Sequence, residues 1–302
     1  MARHTTNLGV MVGVDGSPSS GRAVQWAAQE AAMRNVPLTV VHVVVTPSWG
    51  PAPWLLSNAP LPVPAEEDPA LEESGRKIIA DAIKIAEEIA HGTGRPEIKS
   101  ELFFSVPVPT LVDLSKEALM AVVGRRGQHR LRGVSLGSVS TGMIHHAHCP
   151  VAVIGGTAPT GSRKSKRPVV VGVDGSPASE LATAIAFDEA SWRGVDLVAM
   201  HAWRDPDLSH GLSMEWSAQQ SLAVRNLAER LAGWRERYPD VTVHPRVVWD
   251  DPAGHLLDEA KSAQLVIVGS HGRGGFRGMI LGSVSTAVAH AARVPVIVAR
   301  QR

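Results

Sequence analysis

Apolar and polar blocks alternate along this chain in an order that predicts strands and helices in turn. Residues 9–14 and 169–173 are continuous apolar runs rich in valine, a pattern typical of strands buried on both faces of a parallel sheet. Each run is followed by Ser-Pro, at residues 17–18 and 176–177, which favours a helix with serine as its N-cap and proline in its first turn. Each half of the chain is therefore expected to begin with a strand and a helix.

Further strand and helix patterns follow in the same order in both halves. Strands two, three, four and five are predicted at 38–45, 98–104, 119–123 and 151–154, and again at 197–202, 241–249, 265–268 and 296–299. Apolar residues at helical spacing predict a longer helix after each second strand, on Ile78, Ala82, Ile85 and Ile89 or on Val224, Leu227, Leu231 and Trp234. Short helices are predicted after Pro109 and Pro252. This alternation predicts an α/β fold with doubly wound parallel sheets, which bind ligands beyond the carboxyl ends of their strands.

The two halves are copies of one unit. Val-Gly-Val-Asp-Gly-Ser-Pro at residues 12–18 recurs at residues 171–177, an offset of 159. A later pattern, Gly-x2-Gly-x9-Gly-Ser, begins at Gly124 and recurs from Gly269, an offset of 145. Because the offset falls from 159 to 145, the first copy carries 14 extra residues between its second strand and its third helix. A repeat of this length predicts two tandem domains of the same fold.

The extra residues fall in a proline-rich segment, 46–69, whose prolines exclude a helix or a central strand. We expect a long loop, whose Trp49, Trp54, Leu55 and Leu56 either pack on the adjacent domain or form a lid or partner surface. A short basic segment between the copies is typical of a solvated linker. The domains are predicted at 1–157 and 168–302, with the linker at 158–167.

A glycine-rich loop follows the fourth strand of each copy. It reads Gly124-Arg125-Arg126-Gly127 or Gly269-Ser270-His271-Gly272 and ends on Gly137-Ser138 or Gly282-Ser283. Glycines let the backbone approach a ligand closely, and free N–H groups in such a turn surround phosphate oxygens. The final Gly-Ser opens a helix, whose unpaired N–H groups and positive dipole end also favour an anion. Two such loops, each between a strand and a helix, predict two phosphate sites.

The positive charge of these loops is local, because the chain as a whole is nearly neutral. Thirty Lys plus Arg stand against 29 Asp plus Glu, a net charge of +1, which excludes a general attraction for nucleic acid or anionic membranes. The cations available to a polyphosphate are Arg125, Arg126, His129, Arg130 and Arg132 in one loop and His271, Arg273 and Arg277 in the other. The sequence also lacks a membrane-length apolar run or a signal peptide, and its one cysteine, Cys149, fits a reducing compartment. We expect a cytoplasmic protein.

The repeat and its loops resemble the universal stress protein family, in the tandem form that carries two domains in one chain. The resemblance covers nearly the whole length, and the family's ATP-binding pattern, Gly-x2-Gly-x9-Gly-(Ser/Thr), is intact in both copies. It implies that the last strands, 151–154 and 296–299, pair across the domain interface, so that one chain is similar to the usual dimer of such domains. It also implies ATP as the ligand, with Mg2+ as a possible companion ion, and a homodimer of two chains.

The resemblance further implies roles for individual residues. Asp15 and Asp174 would approach the ribose or the metal-phosphate group, with Gly13 and Gly172 beneath them, and Val43 and Ala202 would contact adenine. The phosphates would lie on Gly124, Arg125, Arg126, Gly127, Gln128, His129, Arg130, Gly137, Ser138 and Val139 in the first copy. In the second copy they would lie on Gly269, Ser270, His271, Gly272, Arg273, Gly274, Gly275, Gly282, Ser283, Val284 and Ser285. The loops differ in sequence, so equal affinity of the two sites is not expected.

Several of these residues also have a simpler structural interpretation. An aspartate after a buried strand often accepts N–H bonds in a turn before a helix, and both roles stay open for Asp15 and Asp174. His42 and His201 lie inside apolar strands and are predicted to be hydrogen-bonded core residues rather than ligands. Asp205 follows the second strand of the second copy and faces either a ribose or solvent.

Other chemistry has weak support in the sequence. The Gly-x4-Gly-Lys-(Ser/Thr) of a P-loop NTPase does not occur, so rapid hydrolysis is not expected. His145, His146, His148 and Cys149 would not all face one point on a helix, and we expect packing or solvent contact there rather than a metal.

The sequence thus predicts an ATP-binding regulator of stress adaptation or growth, with one site per domain, rather than an enzyme. The nucleotide would bias the conformation or the choice of partner. Two alternatives stay open. One is a slow ATPase or phosphotransfer enzyme in which Asp15 or Asp174 holds a metal, and the other is a sensor of AMP or a cyclic nucleotide.

Overall fold

The fold is a single ten-stranded sheet covered by helices on both faces, as seen in a computed structural model. The structure describes residues 8–45, 69–90, 95–127, 136–155, 165–203, 213–272 and 281–300. The first half contains β1 (Gly9–Val14), α1 (Pro18–Arg34), β2 (Leu38–Val45), α2 (Pro69–Ala90), β3 (Ile98–Ser105), α3 (Pro107–Leu114), β4 (Ala118–Gly124), α4 (Ser138–His146) and β5 (Val151–Ile154). The second half contains β6 (Val169–Gly172), α5 (Pro177–Arg193), β7 (Leu197–Trp203), α6 (Ser213–Arg237), β8 (Val243–Trp249), α7 (Pro252–Ala260), β9 (Leu265–Gly269), α8 (Ser283–Ala291) and β10 (Val296–Ala299).

The strand order is β3-β2-β1-β4-β5-β10-β9-β6-β7-β8, which is two five-stranded parallel units joined by their last strands. In each unit the order reverses beside the first strand, because β1 lies between β2 and β4 and β6 lies between β7 and β9. The units meet where β5 and β10 pair antiparallel, with Ile297 opposite Ala152. The predicted α/β fold and the pairing of the last strands are confirmed.

Two apolar layers hold the helices to the sheet. One layer joins the sheet to α1, α2, α5 and α6, with Phe187 and Leu231 fully buried. The other joins it to α3, α4, α7 and α8, with Met143 and Val288 fully buried. No helix in the described ranges is long and apolar enough to cross a membrane.

The predicted helix starts are confirmed at α1 and α5 but are wrong at α3. The Ser17 and Ser176 hydroxyls each accept the N–H three residues on, at 3.2 Å, and proline follows each cap. The α3 helix begins at Pro107 instead of after Pro109. Both prolines fit in its first turn, where the backbone N–H groups have no partner in the helix.

Two further predictions about apolar positions need correction. Val224 is 50% exposed and lies beside Pro245 and Arg246 of β8, the edge strand of the sheet, so it is not part of the buried face of α6. The eighth strand begins at Val243 instead of 241, although Val241 itself is buried against the core. Between the second strand and the following helix the first half has 23 residues, 46–68, and the second half has 9, 204–212, so the predicted difference of 14 falls there. The apolar residues predicted there, Trp49, Trp54, Leu55 and Leu56, fall outside the described residues.

Candidate functional site

Each half has a cavity at the carboxyl ends of its strands, at the point where the strand order reverses. The first has a volume of about 510 Å³ and the second about 310 Å³. The first cavity brings together Gly13, Asp15, Val43, Gly124, Arg126, Gly127, Gly137, Ser138 and Val139. The second brings together Gly172, Asp174, Ala202, Gly269, His271, Gly272, Gly282, Ser283, Val284 and Ser285. The repeat thus places two similar sets of predicted residues around two equivalent spaces.

The aspartate after the first strand faces the glycine-rich loop. In the first half, Asp15 Oδ1 accepts the backbone N–H of Ser17 at 3.0 Å, which is the turn expected before a helix. A Cβ built on Gly127 would lie 2.5 Å from Asp15 Oδ2. The loop can approach the carboxylate this closely only because residue 127 has no side chain. Asp174 repeats both contacts, at 2.8 and 2.6 Å. One oxygen fixes the turn while the other lies beside the loop.

The loop of each half ends on a helix N-terminus that faces the cavity. Gly137 is the N-cap of α4, and its N–H donates to the Arg125 carbonyl at 2.8 Å. Gly282 is the N-cap of α8, and its N–H donates to the Ser270 carbonyl at 2.7 Å. The N–H groups of the following turn have no acceptor within the helix, and the dipole of the helix is positive at this end. The arrangement suits an anion.

The hydroxyls in this first turn are not equivalent. Ser140 is buried, and its Oγ donates to the carbonyls of Gly137 and Arg125 at 2.9 and 3.1 Å. Ser285 is buried in the same way, and its Oγ donates to the Gly269 carbonyl. The phosphate contact predicted for Ser285 is therefore limited to its backbone N–H, whereas Ser138 and Ser283 are exposed at the cavity.

Among the described residues of the two loops, Arg126 lines the first cavity and His271 lines the second. The Arg125 side chain goes elsewhere, contrary to prediction. Its guanidinium donates to the carbonyls of Ala289, at 3.1 Å, His290 and Ala292, at the end of α8 in the other half. Burial, and then repulsion from Arg126, lower the pKa of Arg125 from its ordinary value.

The equivalent of Arg125 in the second loop, Ser270, is not among the residues lining the second cavity, and its Oγ lies 3.1 Å from Nδ1 of His271, which does line it. Ser270 is buried, and its N–H donates to the Ala299 carbonyl at 2.8 Å. The remaining predicted site residues fall outside the described residues, and they are Gln128, His129, Arg130, Asp205, Arg273, Gly274 and Gly275.

The histidines of the second strands are buried and hydrogen-bonded, as predicted, although His42 also lines the first cavity. His42 Nδ1 lies 2.7 Å from the Val14 carbonyl oxygen, and His201 Nδ1 lies 2.7 Å from that of Val173. The expected lack of a metal cluster at 145–149 stays a prediction. Across the described ranges, no three His, Cys, Asp or Glu side chains come together in a way that would hold a metal ion.

The apolar floor of the cavities was missed by sequence reasoning. Leu111 and Leu256 line the first and second cavity, and a Cβ on Gly13 or Gly172 would lie 3.3 or 3.2 Å from their Cδ1 atoms. The glycines of the first strands therefore make room for these leucines. The offset of 145 that relates the loops also relates Leu111 to Leu256, so the repeat alone contained the signal. In the first half, four residues of α2 also line the cavity, and they are Leu71, Ser74, Gly75 and Ile78.

Comparison with known proteins agrees with the fold and the repeat. The model of the universal stress protein family matches residues 9–155 and again 166–300. The chain is 53% identical over 301 residues to universal stress protein Rv2005c of Mycobacterium tuberculosis, covering 100% of both. It is 50% identical over 301 residues to universal stress protein Rv2623 of that organism, covering 100% of this chain and 99% of the relative.

A solved structure shares the whole architecture. The crystal structure of a universal stress protein from Archaeoglobus fulgidus DSM 4304 matches with a TM-score of 0.69 at 19% identity. The match covers 98% of this chain and 99% of that one, and at this identity it concerns the fold. From the family model and the full-length relatives, the chain belongs to the universal stress protein family and carries two of its domains in tandem.

Proposed function

We propose that each half binds ATP and that the chain is a nucleotide-dependent regulator of stress adaptation or growth rather than an enzyme. The observation that carries this proposal is the convergence, in both cavities, of a helix N-terminus, a glycine loop and a carboxylate over an apolar floor. Helix N–H groups suit phosphates, a carboxylate suits ribose hydroxyls or a metal, and apolar walls suit a base.

The residues of the first cavity fit the parts of ATP in one orientation. The phosphates would lie on the first turn of α4, with Arg126 supplying charge. Asp15 Oδ2 would accept a ribose hydroxyl or hold Mg2+ together with phosphate oxygens. The base would lie against Val43 and Leu111. In the second cavity His271 takes the place of Arg126, which supports a difference in affinity between the two sites.

A regulatory role follows from what the bound nucleotide can do to the protein. ATP shifts a conformational equilibrium only by its difference in affinity for the two states. We place this activity in the cytoplasm, in a homodimer whose chains already contain a paired set of domains, and we assign it no nucleic-acid or membrane partner.

The test is mass spectrometry of the nucleotide released on denaturing freshly purified protein. Gly127→Ala combined with Gly272→Ala would place a carbon within 2.6 Å of each aspartate Oδ2, and we expect at least a tenfold loss of bound ATP. The matched control combines Gly21→Ala with Gly233→Ala, since a Cβ at these positions meets nothing closer than 3.7 Å. The control is expected to keep its nucleotide.

Each other result points to a different function. Protein that contains no nucleotide, or a double variant that retains ATP like its control, would overturn the ATP sites. Release of AMP or a cyclic nucleotide would identify a sensor of that nucleotide. Steady hydrolysis well above about one turnover per second, a rate usual for enzymes, would overturn the regulatory role.

A further inference from the structure

One arginine of each half contacts the C-terminal end of a helix in the other half, the helix whose N-terminus faces the cavity there. Arg125, in the first glycine loop, donates to carbonyls at the C-terminal end of α8. Arg300, directly after β10, donates from Nε to the Ala147 carbonyl at 2.9 Å and from Nη1 to the Ile144 carbonyl at 2.6 Å. The latter carbonyls lie at the C-terminal end of α4. The two contacts are reciprocal across the joint between the halves.

The two arginines come from different positions of the repeat. At the offset of 145, Arg125 corresponds to Ser270, and Arg300 corresponds to Gly155. A Cβ on Gly155 would lie 2.8 Å from Arg125 Cδ, so the glycine leaves the space that the Arg125 side chain fills. The first half therefore has an arginine in its loop and a glycine after its last strand, whereas the second half has a serine in its loop and an arginine after its last strand. The same contact with a helix end is made twice by residues that are not copies of each other.

The contact is chemically suited to hold a short helix in place. The last four carbonyls of a helix have no partner within it, and a guanidinium offers five donors and a positive charge to this negative end. Both α4 and α8 have 9 residues, too few for a helix that is stable by itself. Burial lowers the pKa of the adjacent His145 and His290, so at neutral pH the arginines supply the positive charge there.

The backbone at or next to each arginine also makes a hydrogen bond at the cavity of its own half. The Arg125 carbonyl accepts the N–H of Gly137, the cap of α4 at the first cavity. Arg300 follows Ala299, whose carbonyl accepts the N–H of Ser270 in the second loop. Arg125 thus joins the loop of the first cavity to α8, and Arg300, which contacts α4, directly follows the residue that holds the loop of the second cavity.

We propose that Arg125 and Arg300 are positioning residues, each of which holds the phosphate-binding helix of the opposite half and thereby couples the two sites. This inference rests on the proposed function, because it assumes that the helix N-termini bind the phosphates. Coupling here means that the affinity of each site depends on an arginine supplied by the other half.

The test measures ATP affinity by calorimetry in full-length variants that keep one working site. Gly272→Ala leaves the first site and Gly127→Ala leaves the second. Into each background we place Arg125→Ser or Arg300→Gly, which are the residues that the other half has at these positions. Arg125→Ser is expected to weaken ATP roughly 2-fold to 30-fold at the second site and much less at the first, and Arg300→Gly to do the reverse.

The crossed pattern separates coupling from simpler effects. A larger loss at the arginine's own site would mean that its charge acts locally, and it would overturn the inference. Equal losses at both sites, or a lower Tm with unchanged affinities, would reduce the arginines to a general structural role and overturn it as well. Absence of ATP binding by the unmodified chain would overturn the proposed function itself, whereas ATP binding without the crossed pattern overturns only the coupling.

Discussion

At the scale of single residues, the glycines of one motif have different physical tasks. A Cβ on Gly124 would lie 2.8 Å from the backbone carbon of Ser19, so this glycine lets α1 pack on the end of β4. Gly127 lets the loop approach the Asp15 carboxylate. Gly137 has φ −77° and room for a Cβ at 3.5 Å, so neither strain nor packing requires a glycine there. A motif read from sequence alone gives these positions equal weight.

The space around a glycine decides whether Gly→Ala stabilises or destabilises the protein, and Gly124 in the motif and Gly233 outside it are opposite cases. Gly124→Ala forces its new carbon against backbone, and we expect it to lower the free energy of unfolding by about 1–3 kcal/mol. Gly233→Ala lies in α6 with nothing within 4 Å, and it should raise the free energy of unfolding by up to about 1 kcal/mol, because alanine favours helix. Urea unfolding of nucleotide-free protein measures both. A rise, or no change, in the free energy of unfolding for Gly124→Ala would show that the packing at Gly124 is not tight.

At the scale of elements, the strands and helix starts that were predicted correctly are those that depend on residues close together in the chain. The strands and the starts of α1 and α5 follow from apolar runs and Ser-Pro caps, which act within one turn. The start of α3 was predicted too late in the sequence, because Val106, at its N-cap, carries no capping side chain that would have marked it. The hydrogen-bond partners of the Arg125 side chain could not be predicted, because they are carbonyls of a helix more than 160 residues further along the chain.

The weak start of α3 suggests a stabilising change. Val106 is 48% exposed and has the extended backbone of an N-cap, with φ −89° and ψ 122°. Val106→Asp adds a carboxylate that is placed to accept the Val108 N–H, since Pro109 has no N–H to donate. We expect the free energy of unfolding to rise by about 1 kcal/mol. Asp251, at the equivalent position of the second half, has a left-handed backbone and accepts the N–H of Gly254, where the first half has Pro109, at 3.0 Å. Asp251→Ala should lower the free energy of unfolding by about 1–2 kcal/mol. Urea unfolding of the two variants compares them, and a loss at 251 without a gain at 106 would contradict the argument.

At the scale of the whole molecule, the halves are also joined by a buried ion-pair network of Glu30, Arg34, Glu189 and Arg193. Glu30 and Arg34 pair within α1 at 3.1 Å, Glu189 and Arg193 pair within α5, and each arginine also reaches the glutamate of the other helix. Both glutamate side chains are fully buried. Because burying four charges costs much of what their attraction returns, we expect the network to contribute less to stability than its four contacts suggest.

The network makes the stability of the molecule depend on pH. Burial, reinforced by the neighbouring Glu30, raises the pKa of Glu189 to about 7 against the pull of Arg193 and Arg34. At Glu30 the same burial is outweighed by the two guanidiniums, and the pKa lies below its ordinary value. Between its ordinary pKa of 4.5 and about 7, Glu189 therefore holds a proton in the folded chain that the unfolded chain has released.

The resulting stabilisation is complete below the ordinary pKa of Glu189 and is lost as the pH rises through about 7. Glu189→Gln stays neutral at every pH. We therefore expect the unmodified chain to lose stability relative to this variant between about pH 5 and about pH 8, by a few kcal/mol at most, since one pKa unit is worth about 1.4 kcal/mol. Urea unfolding at both pH values measures the change. Glu72→Gln, at an exposed pair with Arg76, is the control and should stay within about 0.5 kcal/mol at both. If the Glu189→Gln difference is the same at both pH values, Glu189 does not take up a proton on folding, and the network is fully charged throughout.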